Sequence, residues 1–303
     1  MAFRRFKIGW KQKAAAFNFL NTAPFGETLY YVLQRYVTKT IPRRLAPTEE
    51  TGAAQISHVR KFLRRGVRLD EATLFEFGAG WDLYSNIILY CFGVNRQITV
   101  DIRRLVKAEA VNAVIEHLQV DPPQGAIRRP AALIRQSHLE QDLRESYGIT
   151  YRAPNDATTL DFADDSIDLI ATTSVLEHVP DHVVQGIMRE CYRILKRGGL
   201  MSHVIDYSDH YAHSDPSINE FNYLAFDEKA WAKYNPDIHF QNRRRSSYFR
   251  QIFERCGFAI RETDPWHGEA DALEKVPVSS QFKRYPRAEL LELGCHFLLE
   301  KPA

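Results

Sequence analysis

The apolar positions of this chain change period along its length. From residue 53 onward they alternate between helical spacing and short unbroken runs, the pattern of helices crossing over a buried parallel sheet. The spacing predicts a helix over 53–65, a strand over 72–77, a helix over 83–91 and a strand over 97–101. Residues 103–147 read as mostly helical, broken at 121–125 and at Pro130. Strands follow at 149–152 and 166–172, then a helix over 181–195 that stops at Lys196-Arg197-Gly198-Gly199. A fifth strand covers 200–205. After a polar and aromatic stretch come a helix over 246–256, a strand over 258–262 and a last strand over 296–299.

The first fifty residues follow a different pattern. Phe3, Phe6, Trp10, Ala14 and Phe17 recur at spacings of three and four, with Arg4, Arg5, Lys7, Lys11 and Lys13 between them, which predicts a basic amphipathic helix. Its aromatic face is expected to dock on the main domain. The alternative is that residues 1–20 make peripheral contact with an anionic membrane surface. A second helix is expected over 27–37 and a linker over 41–47. Residues 1–52 then form a helical extension and 53–303 the principal domain.

Composition narrows the class. Hydrophobic residues make up 45% of the 303 and charged residues 26%, ordinary values for a soluble chain with a real core. Cys91, Cys191, Cys256 and Cys295 form no CxxC or Cys/His cluster, so a disulfide framework or structural zinc is not expected and a cytoplasmic location is. No apolar run approaches the roughly 20 residues that span a bilayer. The stretch from Ala14 to Leu20 is too short, and lacks the cleavage site, for a signal peptide. Net charge is +2, but residues 1–50 hold nine Lys/Arg and three Glu, which is +6 and leaves −4 for the rest. A net acidic main domain argues against nucleic acid as partner.

The chemistry concentrates in Leu74-Phe75-Glu76-Phe77-Gly78-Ala79-Gly80-Trp81-Asp82, an apolar strand ending in a carboxylate and turning through two glycines into a helix. Such a turn, at the carboxyl end of a first strand, lets a nucleotide-like ligand approach the backbone. Asp101, 25 residues after Glu76, can accept both hydroxyls of a ribose, and Asp156 beside Ala157 can accept an adenine amino proton. Glu76 can orient the loop or receive an amino group. A dinucleotide site wants a third glycine where Leu83 stands, and Asp82 would repel a pyrophosphate at the helix start. The loop fits a ligand without phosphates.

Taken in order, these segments resemble the motifs of class I S-adenosylmethionine-dependent methyltransferases, and most closely the type 11 methyltransferase domain. Glu76-Phe77-Gly78-Ala79-Gly80 resembles the glycine-rich first motif, Thr99-Val100-Asp101 the ribose-binding acid, and Asn155-Asp156-Ala157 the adenine-contacting motif. Residues 166–170 with Ser174-Val175-Leu176-Glu177-His178-Val179 resemble the fourth-strand motif, and residues 193–200 the turn into strand five. The resemblance implies a Rossmann-like, doubly wound α/β fold whose seven-stranded, mostly parallel sheet ends in an antiparallel strand, with helical insertions at about 103–147 and 206–245. It implies S-adenosyl-L-methionine as cofactor, held by Glu76, Gly78, Ala79, Gly80, Asp101, Ile102, Asp156, Ala157, Thr173 and Ser174. The chain departs from the family at Trp81-Asp82, where small residues are usual, and in the long interval from Asp101 to Asp156.

Methyl transfer to a hydroxyl needs a group that removes a proton. His210, oriented by Asp206 or Asp209, leads the candidates for that base, and His178 is the alternative. Asp206, Asp209, His210 and His213 also have the ligand chemistry of a divalent metal site, although no metal is expected. Arg243-Arg244-Arg245 reads as a solvated helix start, with binding of an anionic acceptor as the sharper alternative. Tyr223, Phe226, Trp231, Tyr234 and Trp266 either line an aromatic pocket or pack the insertions. The expected activity is methylation, at oxygen, of a small molecule or glycan. A lipid-linked acceptor and a non-catalytic cofactor-binding scaffold are the alternatives.

Overall fold

The computed structural model describes residues 9–38, 40, 41 and 47–303. Phe3, Phe6, Arg4, Arg5 and Lys7 of the expected first helix, and residues 42–46 of the expected linker, lie outside them. Helices α1 (Trp10–Thr22) and α2 (Gly26–Val32, continued as a π-helix to Val37) come first, followed by α3 (Thr48–Thr51) and α4 (Ala53–Arg64). Then follow β1 (Thr73–Phe77), α5 (Tyr84–Cys91), β2 (Arg96–Val100), α6 (Ala108–Val120), α7 (Leu139–Tyr147), β3 (Ile149–Arg152), β4 (Ile167–Thr173), α8 (Asp181–Ile194) and β5 (Leu195–Asp206). The chain closes with α9 (Glu228–Trp231), α10 (Ser246–Arg255), β6 (Ala259–His267), α11 (Ala270–Glu274), α12 (Arg287–Leu291) and β7 (Glu292–Glu300).

The strands form one seven-stranded sheet in the order β3-β2-β1-β4-β5-β7-β6. All pairs among β1 to β5 are parallel, and β7 runs antiparallel to both its neighbours. Strand order reverses between β1 and β4, which opens a crevice above their carboxyl ends. Both faces are covered. Phe75, Phe77, Ile170 and Met201 point toward α8 and α10, while Leu74, Leu169, Ala171 and Leu200 pack with Val59 and Phe62 of α4. Helix α8 buries Val184, Ile187, Met188, Cys191 and Ile194, a stripe at spacings of three, one, three and three that suits one flat sheet face.

Strands β5, β6 and β7 and the segment 121–135 differ from expectation. Strand β5 begins at Leu195, which pairs with Ile167. The chain bulges through residues 196–199, where Gly198 takes a φ of +74°, and register resumes with Leu200 opposite Leu169. Strands β6 and β7 are longer than their apolar runs: β6 is an edge strand whose Arg261 and Asp264 are exposed, and β7 extends with it through their antiparallel pairing. Residues 121–135 carry no helix.

Helix α1 buries Trp10, Ala14, Phe17 and Leu20 in a cluster with Tyr211, Tyr223, Trp231, Phe282 and Leu290. Its aromatic face is thus covered by the segments after β5 and β6. Among the described residues, no helix is long and apolar enough to cross a membrane.

Candidate functional site

Beyond Phe77 the chain must leave the sheet and start α5 within seven residues. The Gly78 and Ala79 amides both donate to the Val100 carbonyl, at 2.8 and 3.3 Å, and so pin the turn to the end of β2. Gly78 has a φ of +82° and lies against Val175, where a Cβ would come within 2.7 Å of a methyl carbon. Gly80, at φ +66°, has nothing within 4 Å of where its Cβ would stand. One glycine serves packing and the other leaves room. Asp101 holds the loop from the next strand: Gly80 N–H donates to its Oδ2 at 3.1 Å and Arg103 N–H to its Oδ1 at 2.9 Å. Each oxygen keeps a lone pair for a further donor. Burial raises the Asp101 carboxyl above its ordinary value, and the two amides work against that rise.

This turn floors a cavity of about 590 Å³ at the sheet's switch point. Of the expected cofactor residues, Gly78, Gly80, Asp101, Ile102, Asp156, Ala157 and Ser174 line it; Glu76, Ala79 and Thr173 do not. Glu76 lies beneath the turn, where Thr99 Oγ1 donates to its Oε2 at 3.4 Å, and burial pushes its carboxyl up to about 8. Of the two roles expected of it, this geometry suits orienting the loop. Asp156 lines the cavity and uses Oδ1 to accept from the amide and hydroxyl of Thr158, both at 2.8 Å. Sequence reasoning missed the roof: Glu27, Tyr30 and Gln34 from α2 and its continuation, and residues 237–240 from the segment after β5. No local signal marks those residues, because only the tertiary fold brings them over the sheet.

One wall of the cavity is a cluster of histidines and carboxylates. His178 opens onto the cavity, and its Nδ1–H donates to the Phe240 carbonyl at 2.6 Å, leaving Nε2 with a free lone pair. Burial, and then the neighbouring His210, hold its imidazole down at about 4, so it is neutral at pH 7. The ring of His210 is 4.9 Å from that of His178 and 5.2 Å from that of His213. It sits behind His178 and does not line the cavity, so the leading base candidate lacks direct reach to an acceptor. Asp206 Oδ2 faces His210 Nε2 at 3.6 Å. Burial works to raise Asp206, but His210 and Ser208 outweigh it and hold the carboxyl below its ordinary value. Asp209 is turned elsewhere, accepting from Tyr211 N–H and Asn222 Nδ2, each at 2.8 Å. Of the two expected orienting acids, Asp206 is the one in place.

The family model for the methyltransferase domain matches residues 105–202. With strand order 3-2-1-4-5-7-6, an antiparallel β7 and a glycine turn facing an acidic β2 terminus, that match decides the class. The chain carries a class I methyltransferase domain. Its cofactor is S-adenosylmethionine. Among solved structures, the chain is similar to an S-adenosylmethionine-dependent methyltransferase of Mesorhizobium loti, at 15% identity over 82% of this chain and 99% of that one, with a TM-score of 0.47. A methyltransferase of Methanosarcina mazei shows 14% identity over 80% and 97%, with a TM-score of 0.42. No curated protein matches the chain.

The cavity suits the methyltransferase cofactor on two structural counts: the open space above Gly80 and the spare lone pairs of Asp101. The arginine run of this methyltransferase corrects the expected solvated helix start. Arg243 and Arg245 are 3% and 1% exposed. Arg243 donates to the Tyr223 and Phe226 carbonyls and lies over the Trp231 ring. Arg245 donates to the carbonyls of Tyr207, Glu289, Leu290 and Glu292 and to the Tyr223 hydroxyl, tying the post-β5 segment to the start of β7. Arg244 forks onto Asp181. Each arginine of the run is thus engaged by protein groups, Arg243 also by the Glu228 carboxylate at 3.0 Å. Phe226, Trp231 and Tyr234 pack around Trp10, Tyr223 packs on Trp231, and Trp266 stands 40% exposed on β6; none of these aromatics lines the cavity.

Proposed function

We propose that this methyltransferase transfers the methyl group to an oxygen of a small molecule or glycan. The observation that carries the reading is His178: a neutral imidazole with its lone pair free, opening into the same cavity as the glycine turn. Asp101 accepts the ribose hydroxyls of the cofactor, Asp156 and Ala157 meet its adenine edge, and the open side of Gly80 admits its amino-acid end. When bound, S-adenosylmethionine supplies a methyl carried on a sulfonium, which leaves sulfur with its electron pair as a neutral thioether. The acceptor's O–H gives its proton to His178 Nε2 as the oxygen lone pair attacks the methyl carbon. Asp206, behind His178, steadies the imidazolium that forms. Val179, Pro180, Val183 and Ile187 give the cavity an apolar wall that keeps water from competing.

The test is a mass-spectrometric screen of hydroxylated small molecules and oligosaccharides for products one methyl heavier. His178→Gln should lower turnover by about 100-fold without changing affinity for S-adenosylhomocysteine. Unchanged turnover would remove His178 from the mechanism, and products methylated only on nitrogen or carbon would contradict the oxygen acceptor.

A lipid-linked acceptor is the second reading, and one observation favours it. Phe25, Leu29, Val32 and Tyr36 fall on one outward face of α2 and its continuation, beside the cavity roof, and are 39–85% exposed. Co-sedimentation with anionic vesicles at low salt supports this reading. A chain that stays in the supernatant opposes it.

A further inference from the structure

Glu177 and His178 form the short turn after β4, and His210 comes from the segment after β5. The parallel pairing of β4 with β5 sets the two segments side by side, so one donor atom from each residue lies within 4.8 Å of the other two. Two atoms in this group are buried without a hydrogen bond. Glu177 is 2% exposed; its Oε1 accepts from Asp206 N–H at 3.3 Å, while Oε2 accepts from nothing among the described residues. His210 Nε2 is likewise unbonded, with Asp206 Oδ2 3.6 Å away. Folded proteins leave few buried polar atoms unpaired, and two at one spot need a cause.

We propose that Glu177, His178 and His210 hold a divalent first-row transition cation on the acceptor side of the cavity. The inference rests on the methyl-transfer reading of that cavity and changes one step of it: with the cation bound, His178 Nε2 is a ligand and the acceptor's proton passes to water instead of to His178. Two imidazoles and one carboxylate suit Zn²⁺, Mn²⁺, Fe²⁺ or Co²⁺ better than Mg²⁺ or Ca²⁺, which prefer oxygen. Bonds of about 2.0–2.2 Å put the ligand atoms of a tetrahedral set roughly 3.4 Å apart, so closure from separations of at most 4.8 Å needs side-chain shifts of no more than about 1.4 Å. The outer supports are already in place. The Phe240 carbonyl fixes the His178 ring with Nε2 free, and the Asp206 amide holds one Glu177 oxygen while the other stays open. Asp206 Oδ2 stands at the edge of the set as a further oxygen. Because His178 faces the cavity, the open coordination positions face an acceptor. An acceptor hydroxyl bound there loses its proton to water more easily, and its oxygen keeps the pair that attacks the methyl carbon.

The test uses the full chain, stripped with chelator and titrated with Co²⁺, whose visible absorption reports protein ligation. One saturable equivalent with new visible bands is expected. Glu177→Gln and His210→Gln should each weaken uptake at least about tenfold, while His182→Ala, at an exposed histidine outside the group, leaves it unchanged. If Glu177→Gln fails to fold by circular dichroism, His210→Gln carries the test alone. Absence of a saturable equivalent, or uptake insensitive to His210→Gln, overturns the proposal. Calorimetry with S-adenosylhomocysteine on the same samples separates the two readings. Nucleoside binding without Co²⁺ uptake sinks the cation and spares methyl transfer, whereas failure to bind the nucleoside sinks methyl transfer itself.

Discussion

Tyr31 of α2 stacks on Trp81 of the glycine turn, with ring centroids 5.2 Å apart and planes 23° from parallel. The Tyr31 hydroxyl donates to Glu109 of α6, which Arg35 also grips, and Lys107 N–H donates to the Trp81 carbonyl at 3.1 Å. The residue that departs most from the family's glycine motif is thus the place where the N-terminal helices clasp the cofactor loop. An aromatic pair of this kind contributes about 0.5–1.5 kcal/mol beyond its burial.

Trp81→Ala should therefore weaken binding of S-adenosylhomocysteine by roughly 2- to 12-fold, as measured by calorimetry, and Tyr31→Ala should do the same. Affinities equal to that of the unaltered chain would show that the clasp does not order the turn.

What the sequence revealed and what it hid follow a physical line. Strands β1 and β4 were legible because both their faces are largely buried, which leaves continuous apolar runs bounded by turn residues. Gly78, Gly80, Asp101 and Asp156 were legible because backbone geometry demands their residue types at fixed offsets. Edge strand β6 was underestimated because half-exposed strands carry charge. Arg243 and Arg245 misled because a buried arginine satisfied by carbonyls looks, in sequence, like a solvated one. Tyr30, Gln34 and residues 237–240 gave no signal, since they reach the cavity only through α1 and the packing of the segment after β5.

Arg245 ought to matter for stability rather than for chemistry. Arg245→Leu strips a buried guanidinium from carbonyls that water cannot reach, and should lower the unfolding free energy by about 3–5 kcal/mol in urea melts. The exposed Arg284→Leu should change it by under about 0.5 kcal/mol. Similar losses for the two variants would contradict that role.

A second polar group lies under the sheet. His58 Nδ1 meets Ser202 Oγ at 2.7 Å, and Ser202 Oγ also meets His296 Nε2 at 2.7 Å. His203 stacks on Phe253. Burial holds His58 and His203 down at about 3, and pushes His296 down as well. A histidine with a folded pKa below its unfolded one takes up its proton preferentially in the unfolded chain. Stability is therefore whole above the unfolded value of about 6.5 and is lost as pH falls from there toward about 3. At pH 5 each such histidine costs about 2 kcal/mol. Replacing His203 by Gln should flatten the pH dependence of urea unfolding between pH 7.5 and 5 by about one proton. An unchanged slope would contradict the assignment.

The central claim is that the cavity over the glycine turn binds S-adenosylmethionine through Asp101. Calorimetric titration of the full chain with S-adenosylhomocysteine tests it most directly. One site per chain is expected, weakened at least about tenfold in Asp101→Ala, as the loss of charge-assisted hydrogen bonds to ribose requires. A folded chain that shows no binding, or an Asp101→Ala variant that binds as tightly as the unaltered chain, would contradict the account.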